Sequence, residues 1–225
     1  MSEQMKAAFA DLLDARRSVR AFKSNPASKD TLCSVFEFAR RAPSNCNTQP
    51  WQVVVSSGES IERLRKSFPE SIAQGKFDMD FDYTGQYEGV YKERQHDAAA
   101  QLYSAQGIAR EDKARRNEVF MENFQFFGAP HVAFLFLPEP FAIREAVDVG
   151  MFAQNLMLSL CAHGLASCPQ TALSFDASTV RETLGVDSSN KLLFGISFGY
   201  EDHDHPANKC RVGRAELSQN VQFVD

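Results

Sequence analysis

The stretch Arg16-Arg17-Ser18-Val19-Arg20 places three guanidinium groups and one hydroxyl within five residues. A guanidinium presents a planar fork of donors that matches phosphate oxygens, and it keeps its charge at every relevant pH. The surrounding chain is acidic, with 24 Lys+Arg against 29 Asp+Glu. Two interpretations are open: a solvated helix end, where cations are favoured, or a binding site for a phosphorylated small molecule.

The overall composition limits the class of protein. The 225 residues, 44% of them hydrophobic, predict a single domain over 1–225 with a sizeable core. Nineteen Phe against five Tyr and one Trp indicate an aromatic-rich interior or cavity. Five Cys without tight spacing favour a reducing compartment, so we expect a cytoplasmic protein. The net charge of −5 argues against nucleic-acid binding, and no apolar run approaches the ~20 residues that span a bilayer.

Apolar periodicity on both sides of the cluster predicts alternating helices and strands. The spacing predicts an amphipathic helix over 2–15 and a second helix that is capped by Ser28 and ends before Pro43. Further helices are expected at 60–68, 93–107, 111–127, 142–163 and 176–185, and buried strands at 51–56, 131–137 and 191–200. Gly195 and Gly199 in the last strand predict close backbone approach. The helix over 142–163 is apolar nearly all round, which places it in the core or in a subunit interface.

A polar loop follows the second helix, with the sequence Ala-Pro-Ser-Asn-Cys-Asn-Thr-Gln-Pro-Trp over 42–51. Prolines restrict the backbone near both ends, while short amides and hydroxyls supply uncharged donors and acceptors. Such a surface suits sugar hydroxyls or the polar edge of a heteroaromatic ring. The alternative is an Asn-rich turn without a ligand. A further polar loop is expected at 170–172.

A second basic pair, Lys209 and Arg211, lies near the other end of the chain. In an extended segment, residues two apart face the same side, so both side chains could reach one anion. Between the two basic segments, residues 69–127 are polar and Tyr-rich. We interpret them as a substrate-lid excursion, with a helical hairpin under a loop as the alternative. Phe124 and Phe127 follow helical spacing, which is typical of a core or cavity lining, but either ring could also stack on an aromatic substrate.

Common catalytic motifs are missing from the sequence. No G-x-G-x-x-G, Walker A or G-x-S-x-G pattern is present. His203-Asp204-His205 is a weak metal candidate that lacks further ligands, and we predict no metal site. Cys168 is expected to be a buried, inert thiol rather than a nucleophile. Basic clusters, polar loops and abundant Phe without acid–base machinery therefore suggest that a bound cofactor carries the chemistry.

The motifs at 16–20 and 42–51, together with Val147–Leu158, Phe198-Gly199-Tyr200 and Asn208–Arg211, resemble the FMN-dependent nitroreductase family over nearly the whole chain. Residues 69–127 match the general family poorly, and this region sets substrate choice there. The resemblance implies an α+β fold with a central, mostly antiparallel sheet flanked by helices. It also implies an intertwined, obligate homodimer with two FMN molecules in its interface.

The resemblance also assigns residues to the cofactor. Arg16, Arg17 and Ser18 would contact the phosphate and ribityl end, and Arg20 would lie near the pyrimidine edge, where it would stabilise negative charge on the reduced flavin. The remaining cofactor contacts implied are Pro43, Ser44, Asn45 and Asn47 from the partner subunit, Pro169 and Gln170 along the flavin's other face, and Lys209 and Arg211 at the phosphate. No side chain is expected to act as a catalytic acid or base.

The activity implied is reduction of nitroaromatic, quinone or similar electron-poor rings by NADPH or NADH, in a ping-pong cycle of hydride transfer through flavin N5. Phe124, Phe127 and the tyrosines of 77–91 are candidates to stack on such a substrate. Two alternatives stay open: another FMN reaction of the same fold (dehydrogenation, reductive dehalogenation or oxygen-dependent chemistry), or a flavin-binding protein without turnover.

Overall fold

A computed structural model describes residues 2–224 of the chain. In that range seven α-helices surround one four-stranded sheet. The helices are α1 (Glu3–Ala15), α2 (Lys29–Ala39), α3 (Glu59–Ala73), α4 (Gly89–Ala105), α5 (Lys113–Met121), α6 (Ile143–Ala162) and α7 (Ala177–Leu184). The strands are β1 (Gln52–Ser57), β2 (His131–Pro138), β3 (Ala166–Gln170) and β4 (Asn190–Gly199).

The sheet has the order β1-β2-β4-β3, and all three strand pairs are antiparallel. The α+β class and the mostly antiparallel sheet that the family resemblance implied are thereby confirmed. Strand β2 is buried along nearly its whole length and lies between β1 and β4. Its two faces carry alternate residues, because successive side chains of a strand point to opposite sides.

Two hydrophobic clusters cover the two faces of the sheet. Phe134 of β2 belongs to the cluster that includes Leu64 and Phe68 of α3. The neighbouring Leu135 belongs to the other cluster, with Leu156 of α6. The sheet is thus the middle of three layers, with α3 and α7 on one side and α2 and α6 on the other.

The glycines of β4 allow the close approach that the sequence predicted. A Cβ atom at Gly195 would lie 2.6 Å from Leu173 Cδ1, and one at Gly199 would lie 2.6 Å from Pro130 Cδ. Such contacts are well inside van der Waals distance, so a side chain at either position would displace its neighbour. Leu173 and Pro130 therefore pack directly against the backbone of β4.

Four expectations about individual elements were wrong. The helix expected over 111–127 ends at Met121, and a 3-10 helix over Glu122–Gly128 follows it. Helix α3 continues through Pro69 to Ala73, although we expected it to end at 68. Residues 166–170 form the edge strand β3, which the polar sequence and Pro169 concealed; an edge position tolerates proline because one side of the strand has no ladder partner. Strand β1 is also an edge strand and is partly exposed rather than buried.

Candidate functional site

The arginine cluster follows α1 as an extended segment that runs beside β3. Ser18 forms a parallel bridge with Ser167, and the Val19 N–H donates to the Ser167 carbonyl over 3.0 Å. Because alternate residues of an extended chain face opposite sides, Val19 lies in the core while its neighbours face outward. The backbone pairing with β3 therefore determines where the guanidinium groups lie.

Both basic segments border one cavity of about 320 Å³, which we call the arginine pocket. It is lined by Arg16, Arg17, Ser18 and Arg20 from the first segment, by Cys210, Arg211, Val212, Gly213 and Arg214 from the second, and by Leu13 and Asp14 of α1. Five guanidinium groups and one carboxylate, that of Asp14, border the pocket, which therefore carries a net positive charge. Arg214 was missed in the sequence, although its position three residues after Arg211 is a signal that could have extended the second cluster.

Arg17 is partly withdrawn from this pocket by an ion pair. Its Nη2 atom contacts Glu201 Oε1 just beyond β4, and both side chains are mostly buried. The His203 ring lies 3.4 Å from the same carboxylate oxygen. Arg17 therefore neutralises a buried acid in addition to bordering the pocket.

Asn208 joins the two basic segments. Its side-chain oxygen accepts from the Arg20 N–H over 2.7 Å, and its side-chain nitrogen donates to the Ala21 carbonyl over 2.9 Å. The Asn208 carbonyl in turn accepts from Arg211 Nη1 over 2.7 Å. The residue is buried, and nothing in the sequence analysis marked it as more than part of a motif.

Lys209 lies outside the arginine pocket. It borders a neighbouring cavity of about 480 Å³ together with Arg211 and with Gln101 and Ser104 of α4. Lys209 is the last residue of a short 3-10 helix (Pro206–Lys209), and it shares this neighbouring cavity, rather than the arginine pocket, with Arg211. Cys210 and Arg211 border both cavities.

A second cavity, of about 510 Å³, adjoins the arginine pocket at Arg20, and we call it the Phe127 cavity. Phe127 borders it, together with Glu122 and with Arg115 of α5. Phe126 and Phe127 both have positive φ, at 57° and 53°, which non-glycine residues seldom adopt. This strained turn in the 3-10 helix Glu122–Gly128 places Phe127 at the cavity wall and Phe126 in the core.

Phe124 is a core residue rather than part of a cavity wall. Its ring stacks on Phe68 at 5.4 Å and meets Phe120 edge-on at 5.6 Å, and it has no exposed surface. The expectation that it stacks on a substrate is therefore not met in this conformation, because its faces are already occupied. Of the two rings predicted to bind substrate, the structure leaves Phe127 as the candidate.

The polar loop is held by α6. The Asn45 N–H donates to Asp148 Oδ2 over 3.0 Å, and the Ser44 hydroxyl accepts from the Gln49 N–H over 2.9 Å. Within residues 2–224 of this one chain, neither these residues nor Pro43 and Asn47 border the arginine pocket. Pro43, Asn45 and Asn47 are solvent-exposed, and Cys46, Asn47 and Gln49 have positive φ.

Pro169 and Gln170 lie at the end of β3. The Gln170 amide nitrogen donates to the carbonyl and to the side-chain oxygen of Asn123, each over 3.1 Å, and its amide oxygen accepts from the Ser197 hydroxyl. The Gln170 side chain is therefore used internally, which leaves the backbone of this segment and the partly exposed Pro169 ring for a ligand.

The candidate nucleophile and the candidate metal ligands have ordinary structural surroundings. Burial raises the pKa of the Cys168 thiol to about 11, despite the nearby Arg20 charge, so the thiol stays protonated at neutral pH, as expected of an inert cysteine. His205 Nδ1 accepts from the Ala207 N–H over 3.3 Å. Within the described part of the chain, no group of three His, Cys, Asp or Glu side chains is arranged to hold a metal ion.

Comparison with known proteins identifies the family of the chain. The model of the nitroreductase family matches residues 13–200. Nitroreductase NfnB of Mycolicibacterium smegmatis is 46% identical over 94% of this chain and 91% of its own length, and the 4-nitrobenzoate reductase of Pseudomonas putida is 32% identical over 94% and 92%. The crystal structure of the FMN-dependent nitroreductase NfnB from Mycobacterium smegmatis in complex with NADPH superposes with a TM-score of 0.94 at 45% identity, covering 98% of this chain and all of that one. The chain belongs to the nitroreductase family.

Proposed function

We propose that this protein is an FMN-dependent NAD(P)H oxidoreductase that reduces nitroaromatic or similar electron-poor rings. The observation that carries the proposal is the convergence of both basic segments on one pocket that adjoins the Phe127 cavity. Relatives with nitroreductase and nitrobenzoate reductase activity support the same conclusion. The similarity extends over nearly the full length of both chains.

The residues of the arginine pocket fit the phosphate of FMN. A phosphate monoester carries nearly two negative charges, and charge-assisted guanidinium bonds are about twice as strong as neutral hydrogen bonds. Arg16, Arg211 and Arg214 would hold it, with the Ser18 hydroxyl as a further donor. When bound, FMN supplies the transfer of hydride from a nicotinamide nucleotide to the ring that is reduced.

Arg20 and Phe127 would act on the rings of the flavin and the substrate rather than on the phosphate. Arg20 borders both the arginine pocket and the Phe127 cavity, so its charge lies between the two. A fixed cation there would stabilise negative charge on a reduced ring, because preorganised charges act without reorganisation cost. Phe127 offers an apolar surface to an aromatic substrate.

We further propose that two copies of the chain form a homodimer. Helix α1 contains no buried residue, and its apolar residues Met5 and Phe9 are more than half exposed. Ile143, Val147 and Met151 leave a second apolar stripe open along α6. A second copy would cover both surfaces and would bring its own residues 43–47 to the cofactor.

The proposal includes the location of the enzyme. None of the helices within residues 2–224 is both long and apolar enough to cross a membrane. All five cysteine thiols are unpaired, which suits a reducing compartment, and a nicotinamide electron donor is available in the cytoplasm. We therefore place the protein there.

The activity is tested by mixing the FMN-loaded protein with NADPH or NADH and 4-nitrobenzoate and following nicotinamide absorbance and the reduced product. We expect substrate-dependent oxidation of the nicotinamide. Arg16→Ala should weaken FMN retention, while Arg63→Ala, on the exposed side of α3, should not. A flavin-loaded protein that oxidises neither nicotinamide with any nitroarene or quinone would contradict the proposal.

A further inference from the structure

The side chain of Asn208 uses all of its hydrogen-bonding groups within the protein. Its oxygen accepts from the Arg20 N–H, and its nitrogen donates both to the Ala21 carbonyl and, over 2.8 Å, to the Asp202 carbonyl. It is 2% exposed. An amide is the one small side chain that combines an acceptor with two donors, so no other residue of this size reproduces the set.

These bonds join segments that are distant in sequence. The Arg20 contact spans 188 positions, and the Ala21 contact spans 187. No strand ladder joins the two segments directly, although the neighbouring Phe22 forms an isolated bridge with Glu201 and the Asp202 N–H donates to the Ala21 carbonyl over 3.1 Å. Asn208 is therefore a side-chain link between the backbone that carries Arg20 and the backbone that carries Arg211, in addition to the ion pair of Arg17 with Glu201.

The same residue also orients a guanidinium. The backbone carbonyl of Asn208 accepts from Arg211 Nη1, which also donates to the Cys210 carbonyl over 2.9 Å. A change in the position of Asn208 would thus move one wall of the arginine pocket relative to the other. Positioning errors of this kind weaken binding because charge-assisted hydrogen bonds depend strongly on distance and angle.

We propose that Asn208 is a positioning residue that sets the spacing between the two basic walls of the arginine pocket and so confers the preference for a phosphorylated flavin over an unphosphorylated one. The inference rests on the proposed function. It assigns the effect to the phosphate end of the ligand, because the Arg211 guanidinium that the Asn208 carbonyl holds borders the arginine pocket and not the Phe127 cavity.

The test compares the affinities of FMN and riboflavin for the wild-type protein and two variants by fluorescence titration. Asn208→Leu keeps the branched shape of the side chain and removes all its hydrogen bonds, whereas Asn208→Ala leaves room for water to satisfy the freed groups. Asn190→Leu is the matched control, because residue 190 begins β4 and lies about 30 Å along the strand from its Gly199 end.

We expect riboflavin affinity to stay within about twofold of wild type, while FMN affinity falls about tenfold in Asn208→Leu and less in Asn208→Ala. The control should retain the wild-type ratio. If Asn208→Leu does not fold, Asn208→Ala decides the outcome. A general structural role would weaken both flavins in equal proportion, and that result, or an unchanged ratio, would overturn the inference. A wild-type protein that binds neither flavin would instead overturn the proposed function.

Discussion

Arg17 illustrates how one side chain can depart from the motif that contains it. The sequence groups it with Arg16 as a phosphate ligand, but the extended backbone sends it toward the side on which Val19 is buried. There it meets Glu201, a residue 184 positions away that no local pattern connects with the cluster. The charge of Arg17 could be predicted from the sequence, whereas its partner could not.

Asp176 provides a prediction about stability and pH. This buried carboxylate caps α7 and accepts hydrogen bonds from Ser71, Ser178 and Thr179. Burial by itself raises its pKa, but the hydrogen bonds outweigh burial and leave the pKa below its usual value. A lowered pKa in the folded state means that the ionised form stabilises the protein above the unfolded-state pKa and that this stabilisation is lost as the pH falls through the folded-state pKa.

We expect Asp176→Asn to lower the free energy of unfolding by about 2 kcal/mol at neutral pH. The difference from wild type should begin to shrink as the pH falls below about 4, where the carboxyl of the unfolded chain becomes protonated, and should disappear below the lower pKa of the folded state. Urea unfolding over a pH series measures this. Asp82→Asn, at an exposed position, is the control and should change stability little. A difference that stays constant with pH would show that the charge of Asp176 is not responsible.

Among the secondary-structure elements, α3 shows how a distant contact can override a local signal. Proline at position 69 removes the N–H that would bond to the Arg65 carbonyl. The Gln125 side-chain nitrogen donates to that carbonyl instead, over 3.1 Å. The helix therefore continues to Ala73, and the compensation comes from a residue 60 positions later.

This contact predicts a specific coupling. Gln125→Ala should destabilise the protein by about 1 kcal/mol, because it leaves the Arg65 carbonyl without its partner. Adding Pro69→Ala should recover much of that loss, since the restored N–H can bond to the same carbonyl. Chemical unfolding of both single variants and the double variant gives the coupling energy. Additive effects would mean that Gln125 does not replace the bond that Pro69 removes.

The excursion over 69–127 is anchored at several points. The Asp78 N–H donates to the Phe175 carbonyl over 2.8 Å, and Asp80 pairs with Arg181 and accepts from the Leu192 N–H over 2.7 Å. By contrast, α4 has no buried residue. The first part of the segment is therefore attached to α7 and β4. That the remainder acts as a substrate lid stays a prediction.

The sequence predicts a helix or strand well when the residues that determine it are neighbours in the chain. Strands β2 and β4 follow from their apolar runs, and α2 follows from its Ser28 cap, which accepts from the Thr31 N–H over 3.1 Å. Strand β3 does not, because its polar residues and Pro169 are accommodated by an edge position that only the assembled sheet defines. The same holds for the left-handed turn at Phe126, which tertiary packing imposes.

Taken as one chain, the protein exposes more apolar surface along two helices than a solvated monomer needs. The exposed residues of α6 lie opposite the buried Phe152 and Leu156, so this helix is apolar nearly all round, as expected from its sequence. We attribute the outer stripe to the proposed homodimer. An apolar surface that continues along a central helix is typical of interfaces between subunits.

The dimer is tested by placing charges on this stripe. Val147→Asp combined with Met151→Asp should convert a dimer into monomers and reduce FMN retention, because a buried, unpaired carboxylate is strongly unfavourable. Sedimentation velocity gives the mass in solution. Ala73→Asp at the exposed end of α3 is the control and should leave the dimer intact. A wild-type protein that sediments as a monomer would contradict the proposed assembly.

The central claim is that segments from both ends of one chain bind a single phosphate group. A crystal structure of the FMN-loaded protein tests it most directly. We predict that the FMN phosphate lies within hydrogen-bond distance, about 3 Å, of guanidinium nitrogens of both Arg16 and Arg211 of the same subunit. A phosphate bound elsewhere, or held by only one of the two segments, would contradict the account.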